Sequence, residues 1–438
     1  MNENLGILYS GGKDSNYVTY LAEKAGNTIS CLITLSSKNP NSYMFQSVGN
    51  NIIDFQAKAM NIPLLRFETL GEKEKELEDL KSALLLAKKK YNITGVCSGA
   101  IKSAYQASRI QKICLELDLF CYNPIWQINE DEYMDKLLEN KFEISIFGIF
   151  SYPFEKPMLG KIINQIQLNK LKQLREQFQI SIAGEGGEYE SFILDAPMYK
   201  QKLVIKSFKS EMDSENSGII TDCEVELVDK ENKNTNLNLN LNNKNNLELK
   251  TDFQKENKNI LIINLNNKNN KLYEFEYIKP ITQIIQNENK QFKVIHYSEL
   301  TEQIIKNYTH IILSGTPLKE FEYLNHFNKF NWIKNTNKNI LGICAGCQII
   351  QKIFNAKETK AQEVGLYNPE ILIRDKILEN EPLKEIYTLH STSFETPKQF
   401  QIIAKTKIPQ IIKYKNIYGC LFHPEVRNHK IIINYLNF

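Results

Sequence analysis

The chain has 438 residues, of which 42% are hydrophobic and 24% charged, and this composition excludes wholesale disorder. Its length exceeds what one hydrophobic core usually organises, which predicts two domains of ordinary size. The formal net charge of +3 gives no electrostatic case for direct nucleic-acid binding or membrane binding, so a small-molecule or protein substrate is favoured.

The chain begins MNENLGILYSGG, which has no secretory signal pattern, and no apolar run approaches membrane-spanning length. The eight cysteines stand at irregular spacings, as is typical of reduced thiols rather than of a disulfide framework. We therefore expect a cytoplasmic protein. The pattern leaves its oligomeric state open.

Apolar runs alternate with longer amphipathic stretches in the N-terminal half. LGILYS precedes a helical pattern from Asn16 to Ala25, and TISCLITL precedes a helix around Ile52 to Met60 and then the run PLLRFE. This alternation predicts a doubly wound parallel sheet with crossover helices.

A stretch dominated by Asn, Lys and Glu then predicts a linker over residues 229–258, because it has little to bury. The alternation of Leu237, Leu239 and Leu241 with Asn leaves an edge strand within it open.

Beyond this stretch the runs NILIINL, FKVIHYS, THIILSG and NILGICAG repeat the earlier rhythm. We therefore predict two α/β domains, at 1–228 and 259–438, each doubly wound and each with its site at the carboxyl ends of its strands.

Residues 10–15 read SGGKDS, between the strand-like LGILY and the helical SNYVTYLAEKAG. Paired glycines let a backbone approach a phosphate closely, and a helix N-terminus favours its negative charge. The spacing differs from the Walker pattern, so transfer of a γ-phosphate is not supported. An ordinary strand-to-helix turn, with Asp14 or Ser15 as the cap, also fits.

SGGKDS resembles the pyrophosphate loop of the PP-loop ATP pyrophosphatases, whose fold is adenine nucleotide α-hydrolase-like and whose members split ATP into AMP and pyrophosphate. The resemblance implies that Gly11 and Gly12 cradle pyrophosphate and that Lys13 stabilises its departure. It also implies that Asp14 holds Mg²⁺ or orients the loop. The implied ATP-binding residues are Ser10, Gly11, Gly12, Lys13, Asp14, Ser15 and Gly99.

Residues 184–190 read GEGGEYE, so three glycines and three carboxylates share one short loop. The carboxylates favour a cation at this loop, either Mg²⁺ bound to ATP or a cationic group of the substrate. A flexible acidic turn is the alternative.

Together with SGGKDS, the segments VCSGAIKSAYQASRIQKICLELDLFCYNPIW and GEGGEYESFILDAP resemble the diphthine–ammonia ligase family over residues 5–205. Members of that family use ATP and ammonia to amidate diphthine, the modified histidine of translation elongation factor two. The resemblance implies this factor as the partner. It implies that the substrate-binding residues are Tyr105, Arg109, Glu185, Gly186, Gly187, Glu188 and Glu190.

In this interpretation the loop carboxylates and the ring of Tyr189 face the trimethylammonium group of diphthine. Tyr105 and Arg109 lie four residues apart, which places them on one helix face. Arg109 then contacts a phosphate or a carboxylate, or is simply solvated.

Cys344 lies in GICAGCQ, between an apolar run and the helical pattern IIQKIF. Small residues on both sides permit a sharp strand-to-helix elbow, and a helix N-terminus favours a reactive thiolate. Near the C-terminus GCLFHPEV supplies His423 as a base and Glu425 to orient it, which completes the logic of a triad.

GICAGCQ and HPE resemble the class I glutamine amidotransferases, whose domain is flavodoxin-like, over residues 259–438. Ser-Gly-Thr-Pro at 314–317 stands where that family has its SGGP oxyanion loop, so Thr316 replaces a usual glycine, and Gly365 in QEVGL also fits. The resemblance implies L-glutamine as ammonia donor. The implied oxyanion and glutamine contacts are Gly315, Thr316, Ala345, Gln348 and His390.

Several alternatives stay open at this point. Cys344 and Cys347 have the spacing of a redox or metal pair, and the glutaminase unit could be a catalytically dead relic. The ligase unit could act on another carboxylate or on a carbonyl, as in GMP synthetase chemistry. It could also add sulfur to tRNA, or bind ATP only as a sensor. We expect a glutamine-dependent, AMP-forming ligase that uses ATP and Mg²⁺.

Overall fold

The computed structural model describes most of the chain, and within it no helix combines the length and apolar character needed to cross a membrane. The predicted linker, with the edge strand inside it, lies outside the described residues from 231 onward. The described residues are 3–37, 50–69, 75–230, 260–380 and 383–438.

The N-terminal half begins with a five-stranded parallel sheet in the order β3-β2-β1-β4-β5, which confirms the doubly wound prediction. The strand order reverses at β1, which lies between β2 and β4, so their carboxyl ends open the crevice where such folds bind ligands. The elements are β1 (Asn4–Leu8), α1 (Lys13–Lys24), β2 (Thr28–Ser37), α2 (Asn50–Met60), β3 (Leu64–Thr69), α3 (Lys75–Tyr91), β4 (Gly95–Cys97), α4 (Ala104–Glu116) and β5 (Phe120–Tyr122).

A four-stranded antiparallel sheet, in the order β7-β6-β9-β8, completes this half. The sequence did not predict it. Phe192 of this sheet packs on Phe147 with ring centroids 4.9 Å apart, and the sheet forms a wall of the crevice. Its elements are α5 (Glu130–Glu139), β6 (Glu143–Ile149), α6 (Gln165–Phe178), β7 (Tyr189–Asp195), β8 (Gln201–Ser214) and β9 (Ser217–Asp229).

The C-terminal half is built on an eight-stranded mixed sheet in the order β11-β10-β12-β13-β21-β20-β19-β16. Its first five strands are parallel, and β10, β12, β13 and β21 are largely buried, which explains their apolar runs. Two small antiparallel pairs, β14–β18 and β15–β17, lie beside it. The elements are β10 (Ile260–Asn264), α7 (Leu272–Tyr277), α8 (Lys279–Asn287), β11 (Phe292–His296), α9 (Glu302–Lys306), β12 (His310–Leu313), α10 (Glu322–Asn325), β13 (Asn339–Ile343), α11 (Ala345–Ile353), β14 (Glu358–Thr359), β15 (Glu363–Tyr367), β16 (Glu370–Ile371), β17 (Ile386–His390), β18 (Ser393–Phe394), β19 (Gln401–Lys405), β20 (Pro409–Tyr414), β21 (Ile417–Cys420) and α12 (Lys430–Tyr435).

The two halves share an apolar core, because buried side chains of α7 and β17 join the N-terminal cluster. Tyr122 stacks on Tyr273 with ring centroids 5.2 Å apart, and Trp126 packs on Tyr387 at 6.0 Å. The interface therefore joins the ends of β5 to the C-terminal half through aromatic contacts.

Candidate functional site

The SGGKDS loop connects β1 to α1 at the switch point of the parallel sheet. Gly11 has a φ of +80°, and a Cβ built there would lie 2.5 Å from Cε1 of Phe192. No other residue fits this position without displacement of the aromatic ring. The predicted strand, loop and helix are thus present, with α1 beginning at Lys13.

Buried amides hold the carbonyl groups of this loop. Asn16 Nδ2 donates to the carbonyl oxygens of Gly11 and Gly12 at 3.0 and 2.9 Å. Gln56 Nε2 donates to Gly11 O at 2.9 Å, and Ser191 Oγ accepts from Lys13 N at 3.3 Å. The loop is therefore fixed in shape by residues outside the predicted motif.

Lys13 and Asp14 form an ion pair at the mouth of this loop. Lys13 Nζ lies 3.0 Å from Asp14 Oδ2, and Tyr133 OH donates to Asp14 Oδ1 at 2.7 Å. Burial alone would lower the pKa of Lys13, but Asp14, Tyr189 and Glu185 outweigh it and raise that pKa. Lys13 is therefore a permanent, largely desolvated cation.

The residues after β4 complete this crevice. A Cβ built on Gly99 would lie 3.1 Å from Cβ of Asp14, so the two loops are in close contact. Ser98 N donates to Tyr122 O at 2.9 Å, which ties the segment to the end of β5. Gly99 thus lies beside the pyrophosphate loop, which is where an ATP-binding residue would have to be.

The structure gives Glu188 and Tyr189 roles different from those predicted. Glu188 Oε1 accepts from Ser181 N at 2.6 Å and Oε2 accepts from Gly186 N at 3.0 Å, so its carboxylate closes its own loop. The ring of Tyr189 faces Lys13 Nζ, 5.9 Å from the ring centroid. Both groups are thus held by contacts within the protein, and a contact with the trimethylammonium of a substrate stays a prediction.

Glu185 and Glu190 remain as the unusual carboxylates of this loop. Glu185 is exposed at the tip of this loop, and the charge of its carboxylate contributes to the raised pKa of Lys13. Burial raises the pKa of Glu190 to about 7, and its Oε2 has no hydrogen-bond partner among the described residues. Gly187 has a φ of +79°, which helps the loop to turn.

Tyr105 and Arg109 share one face of α4, as predicted. The guanidinium carbon of Arg109 lies 3.3 Å from the ring centroid of Tyr105, a cation–π stack. Helix α4 also packs against β15 of the C-terminal half.

Asp14 was predicted to hold Mg²⁺ or to orient the loop, and its contacts in the protein are those of a residue that orients the loop. Both of its carboxylate oxygens are engaged, one by the ammonium of Lys13 and one by Tyr133. Throughout the described ranges, no group of three or more His, Cys, Asp or Glu side chains could hold a metal ion. A Mg²⁺ ion that binds with ATP would need only one or two carboxylates besides the phosphates, so Mg²⁺ at this loop stays a prediction.

Cys344 lies at the elbow between β13 and α11, with a φ of +47° that is rare for a residue bearing a side chain. A Cβ on Gly342 would lie 2.5 Å from the carbonyl carbon of Gly346, so the elbow needs both glycines. The thiol donates to Leu389 O at 3.4 Å. This strained turn is the arrangement that the sequence predicted for a nucleophile.

His423 and Glu425 are brought to the thiol by the segment after β21. His423 Nδ1 lies 2.7 Å from Glu425 Oε1, and both side chains are buried. Burial would lower the pKa of His423, but Glu425 and then Cys344 outweigh it and raise that pKa well above its usual value. The base and its orienting carboxylate are paired as in a triad, whereas the thiol bonds to Leu389 O and His423 Nε2 has no hydrogen-bond partner among the described residues.

The loop after β12 packs directly on this base. A Cβ on Gly315 would lie 2.6 Å from Cε1 of His423, so only glycine fits. Thr316, which replaces the usual glycine, is buried and directs its hydroxyl to Pro317 O and Glu320 O. The hydroxyl group that threonine brings to this loop therefore has hydrogen-bond partners within the protein.

The remaining predicted glutamine contacts are the first residue of α11 and two buried side chains, Gln348 and His390. Ala345 begins α11 beside the nucleophile, where first-turn N–H groups lack intrahelical partners. Gln348 is committed to the protein, because Tyr323 OH donates to its Oε1 and its Nε2 donates to Thr392 O at 2.8 Å. Burial and then His423 lower the pKa of His390 to about 4, so it is neutral.

A cavity of about 730 Å³ lies between the two halves. It extends from the loop that carries Gly186 and Glu188 to Glu425, which contacts the imidazole of His423. Further lining side chains from both halves are Lys102, Glu130, Arg175, Pro280, Gln283 and His429.

Sequence reasoning missed the residues that fix the SGGKDS loop. Asn16 directly follows the SGGKDS motif, and Gln56 is a polar side chain on the apolar face that Ile52, Ile53 and Met60 give to α2. Both are signals that the sequence carries. The contact of Tyr133 with Asp14 has no local signal, because 119 residues separate them.

Three family models match the chain. The diphthamide synthase N-terminal domain matches residues 4–120, the diphthamide synthase C-terminal domain matches 129–226, and the class I glutamine amidotransferase matches 271–436. The two diphthamide synthase segments divide where the parallel sheet gives way to the antiparallel one.

Individual relatives agree with these matches. The diphthine–ammonia ligase of Bos taurus is 33% identical over 219 residues, which cover 46% of this chain and 82% of the relative. A subunit of the glutamine-hydrolyzing GMP synthase of Sulfurisphaera tokodaii is 33% identical over 135 residues, covering 29% of this chain and 72% of the relative. A glutamine amidotransferase structure from Thermotoga maritima is 19% identical, covers 42% of this chain and 82% of that chain, and has a TM-score of 0.33.

Fold and site together define a carbon–nitrogen ligase that joins a PP-loop domain for ATP to a class I glutamine amidotransferase domain. Within that class, the chain belongs to the diphthine–ammonia ligase family.

Proposed function

We propose that this enzyme converts the carboxylate of diphthine on elongation factor two to the amide, with cleavage of ATP to AMP and pyrophosphate. The ammonia comes from glutamine, which is hydrolysed by Cys344, His423 and Glu425. The ligases that the N-terminal half resembles are named for the reaction of diphthine with ammonia.

The observation that carries the proposal is the position of the triad at the interface between the two halves. Glu425, which orients the base, lines the same cavity as Gly186 and Glu188 of the ligase loop. A shared cavity is expected where one half supplies the ammonia that the other half consumes.

At the ligase site, a carboxylate oxygen of the substrate attacks the α-phosphorus of ATP. The bond from that phosphorus to the bridging oxygen of pyrophosphate breaks, and pyrophosphate leaves. Lys13, held charged beside Asp14, neutralises the leaving group, and the glycines at 11 and 12 admit it to the backbone. Ammonia then attacks the acyl carbon of the adenylate, and AMP leaves.

At the glutaminase site, the Cys344 sulfur attacks the amide carbon of glutamine while His423 takes the thiol proton. His423 returns a proton to the departing nitrogen, so neutral ammonia leaves and a thioester forms. Water then hydrolyses the thioester to glutamate. Glu425 holds the tautomer of His423 in each step through the 2.7 Å contact with Nδ1.

The test uses the full chain with ATP, magnesium and amide-¹⁵N glutamine, incubated with elongation factor two that carries diphthine. Mass spectrometry of the factor is expected to show diphthamide that contains ¹⁵N. Unmodified factor serves as the substrate control and should not change.

The matched enzyme control is Cys344→Ala, which should form product only when ammonium is added. A factor left untouched while glutamine is hydrolysed would keep the glutaminase and reject diphthine as the acceptor. Labelled product from Cys344→Ala would instead reject the triad as the source of ammonia.

A further inference from the structure

Glu276 is a buried carboxylate at the interface between the two halves, outside the groups that the reaction uses. It lies on α7 of the C-terminal half and accepts three hydrogen bonds from the N-terminal half. Asn123 donates through its backbone N at 3.1 Å and through Nδ2 at 2.9 Å, and Gln111 Nε2 donates at 3.1 Å.

The next residue of the same helix touches the glutaminase. The ring of Tyr277 lies 5.8 Å from the ring of His423, between centroids. Its Cδ1 would lie 3.5 Å from a Cβ on Gly315, in the loop after β12. Two consecutive residues of α7 thus join the ligase half to the catalytic base.

The same contacts extend to the pyrophosphate loop. Asn123 directly follows Tyr122, whose carbonyl oxygen accepts from Ser98 N at 2.9 Å. Next to Ser98, a Cβ on Gly99 would lie 3.1 Å from Cβ of Asp14. Contiguous packed and hydrogen-bonded groups of this kind are able to carry energetic coupling between two sites.

We propose that Glu276 is a positioning residue that links ATP binding to glutamine hydrolysis: its bonds to Asn123 and Gln111 fix α7, and α7 fixes Tyr277 against His423. This inference rests on the proposed function, because it requires an active glutaminase. It assigns a role to a carboxylate that lies outside the triad and outside the ATP loop.

Small movements of the donors around Glu276 change the hydrogen bonds that its carboxylate accepts. A buried carboxylate is costly unless donors surround it. Burial raises the pKa of Glu276 to about 7, although the bonds from Asn123 oppose that shift. Movement of the β5 end therefore alters the hydrogen bonding of Glu276 at once, and α7 must adjust with it.

The experiment measures kcat and KM for glutamine hydrolysis, with and without ATP, in wild type and Glu276→Gln. The substituted amide keeps the size of the side chain but replaces one of its two acceptor oxygens with an NH₂ group, which then faces one or two of the three N–H donors. We expect kcat with ATP to fall roughly 3- to 30-fold and the stimulation by ATP to disappear. KM should stay within about twofold, because the glutamine contacts are untouched.

Lys279→Gln is the matched control, since Lys279 bridges the halves through Glu132 at 2.8 Å but lies on α8. It should keep the response to ATP. Gln111→Leu, made in the other half, should reproduce the loss in weaker form and serves if Glu276→Gln does not fold. Ammonium-dependent ligation should be retained in all three variants.

A wild-type response to ATP in both Glu276→Gln and Gln111→Leu would overturn the inference alone. Equal loss in Lys279→Gln would also overturn it, because any weakening of the interface would then suffice. A wild-type enzyme that hydrolyses no glutamine under any condition would instead reject the proposed function and this inference with it.

Discussion

At the level of one residue, the activity of the glutaminase is expected to depend on the oxygen of Glu425 that accepts a hydrogen bond from His423. In Glu425→Gln, an amide replaces the acceptor that lies 2.7 Å from His423 Nδ1. The amide no longer enforces the tautomer or supports the imidazolium, so glutamine hydrolysis should fall on the order of 10²- to 10⁴-fold. Ammonium-dependent ligation should persist. Equal losses in both reactions would show that Glu425 acts on the fold rather than on the base.

Glu190 leads to a prediction about stability and pH. Its pKa is raised to about 7 from an ordinary value of 4.5, so the folded state disfavours its ionised form. This penalty is absent well below pH 4.5, builds up as the pH rises from 4.5 to about 7, and is constant at higher pH. Glu190→Gln should therefore stabilise the protein by about 1 to 3 kcal/mol at pH 8, and by much less at pH 5.

Urea unfolding at the two pH values measures this difference, with Glu211→Gln on an exposed part of β8 as the control. Equal effects at pH 5 and pH 8 would show that the carboxylate is not the cause. A gain in stability accompanied by a loss of ligation would fit a carboxylate retained for function.

Individual site residues were predictable where a local motif carries the chemistry. Cys344, His423 and Lys13 could be named because strand, turn and helix signals surround them. The hydrogen bonds of Glu188 could not be predicted, because its acceptor role depends on how the loop from Ser181 to Gly186 closes. That closure follows from tertiary packing, which the spacing of charges does not contain.

At the level of elements, the turn from β1 to α1 is the most constrained feature of the ligase half. Gly11→Ala would place a methyl group 2.5 Å from Phe192 Cε1 in a φ region that side chains avoid. The backbone strain alone costs about 1 to 2 kcal/mol, and the clash adds to it. Pyrophosphate release should therefore fall at least about tenfold, while glutamine hydrolysis without ATP should continue.

Gly26→Ala is the control, because Gly26 has a φ of +88° but lies beyond the other end of α1. It should carry the backbone penalty without loss of pyrophosphate release. Similar losses of pyrophosphate release in both variants would assign the effect to stability rather than to the loop.

The elements themselves were predictable to different degrees. Parallel strands buried on both faces, such as β10, give apolar runs that stand out in the sequence. The hairpin of β8 and β9 has one largely exposed face, and its apolar residues are interspersed with charged residues. Such a pattern does not show which strands pair, and the antiparallel sheet was therefore missed.

For the whole molecule, the arrangement of the halves is the feature that sequence could least provide. The motifs indicate two chemistries, but the cavity between Glu425 and the Gly186 loop arises from contacts across the interface. Among these contacts are the Tyr122–Tyr273 stack and the ion pair of Lys279 with Glu132. The proposed coupling of the two sites therefore depends on how the halves dock rather than on either domain alone.

This arrangement predicts which source of nitrogen, glutamine or free ammonium, enters the amide product. Ammonia in water at neutral pH is mostly protonated and unreactive, whereas ammonia released from glutamine at Cys344 leaves in its neutral form. We expect it to reach the adenylate through the cavity that Glu425 lines. With amide-¹⁵N glutamine and excess ¹⁴N ammonium present together, the amide product should contain a larger fraction of ¹⁵N than the ammonia in solution does. Cys344→Ala should incorporate only ¹⁴N. A wild-type product whose ¹⁵N fraction equals that of the solution would mean that ammonia escapes before it reaches the adenylate, and that the cavity is not its route.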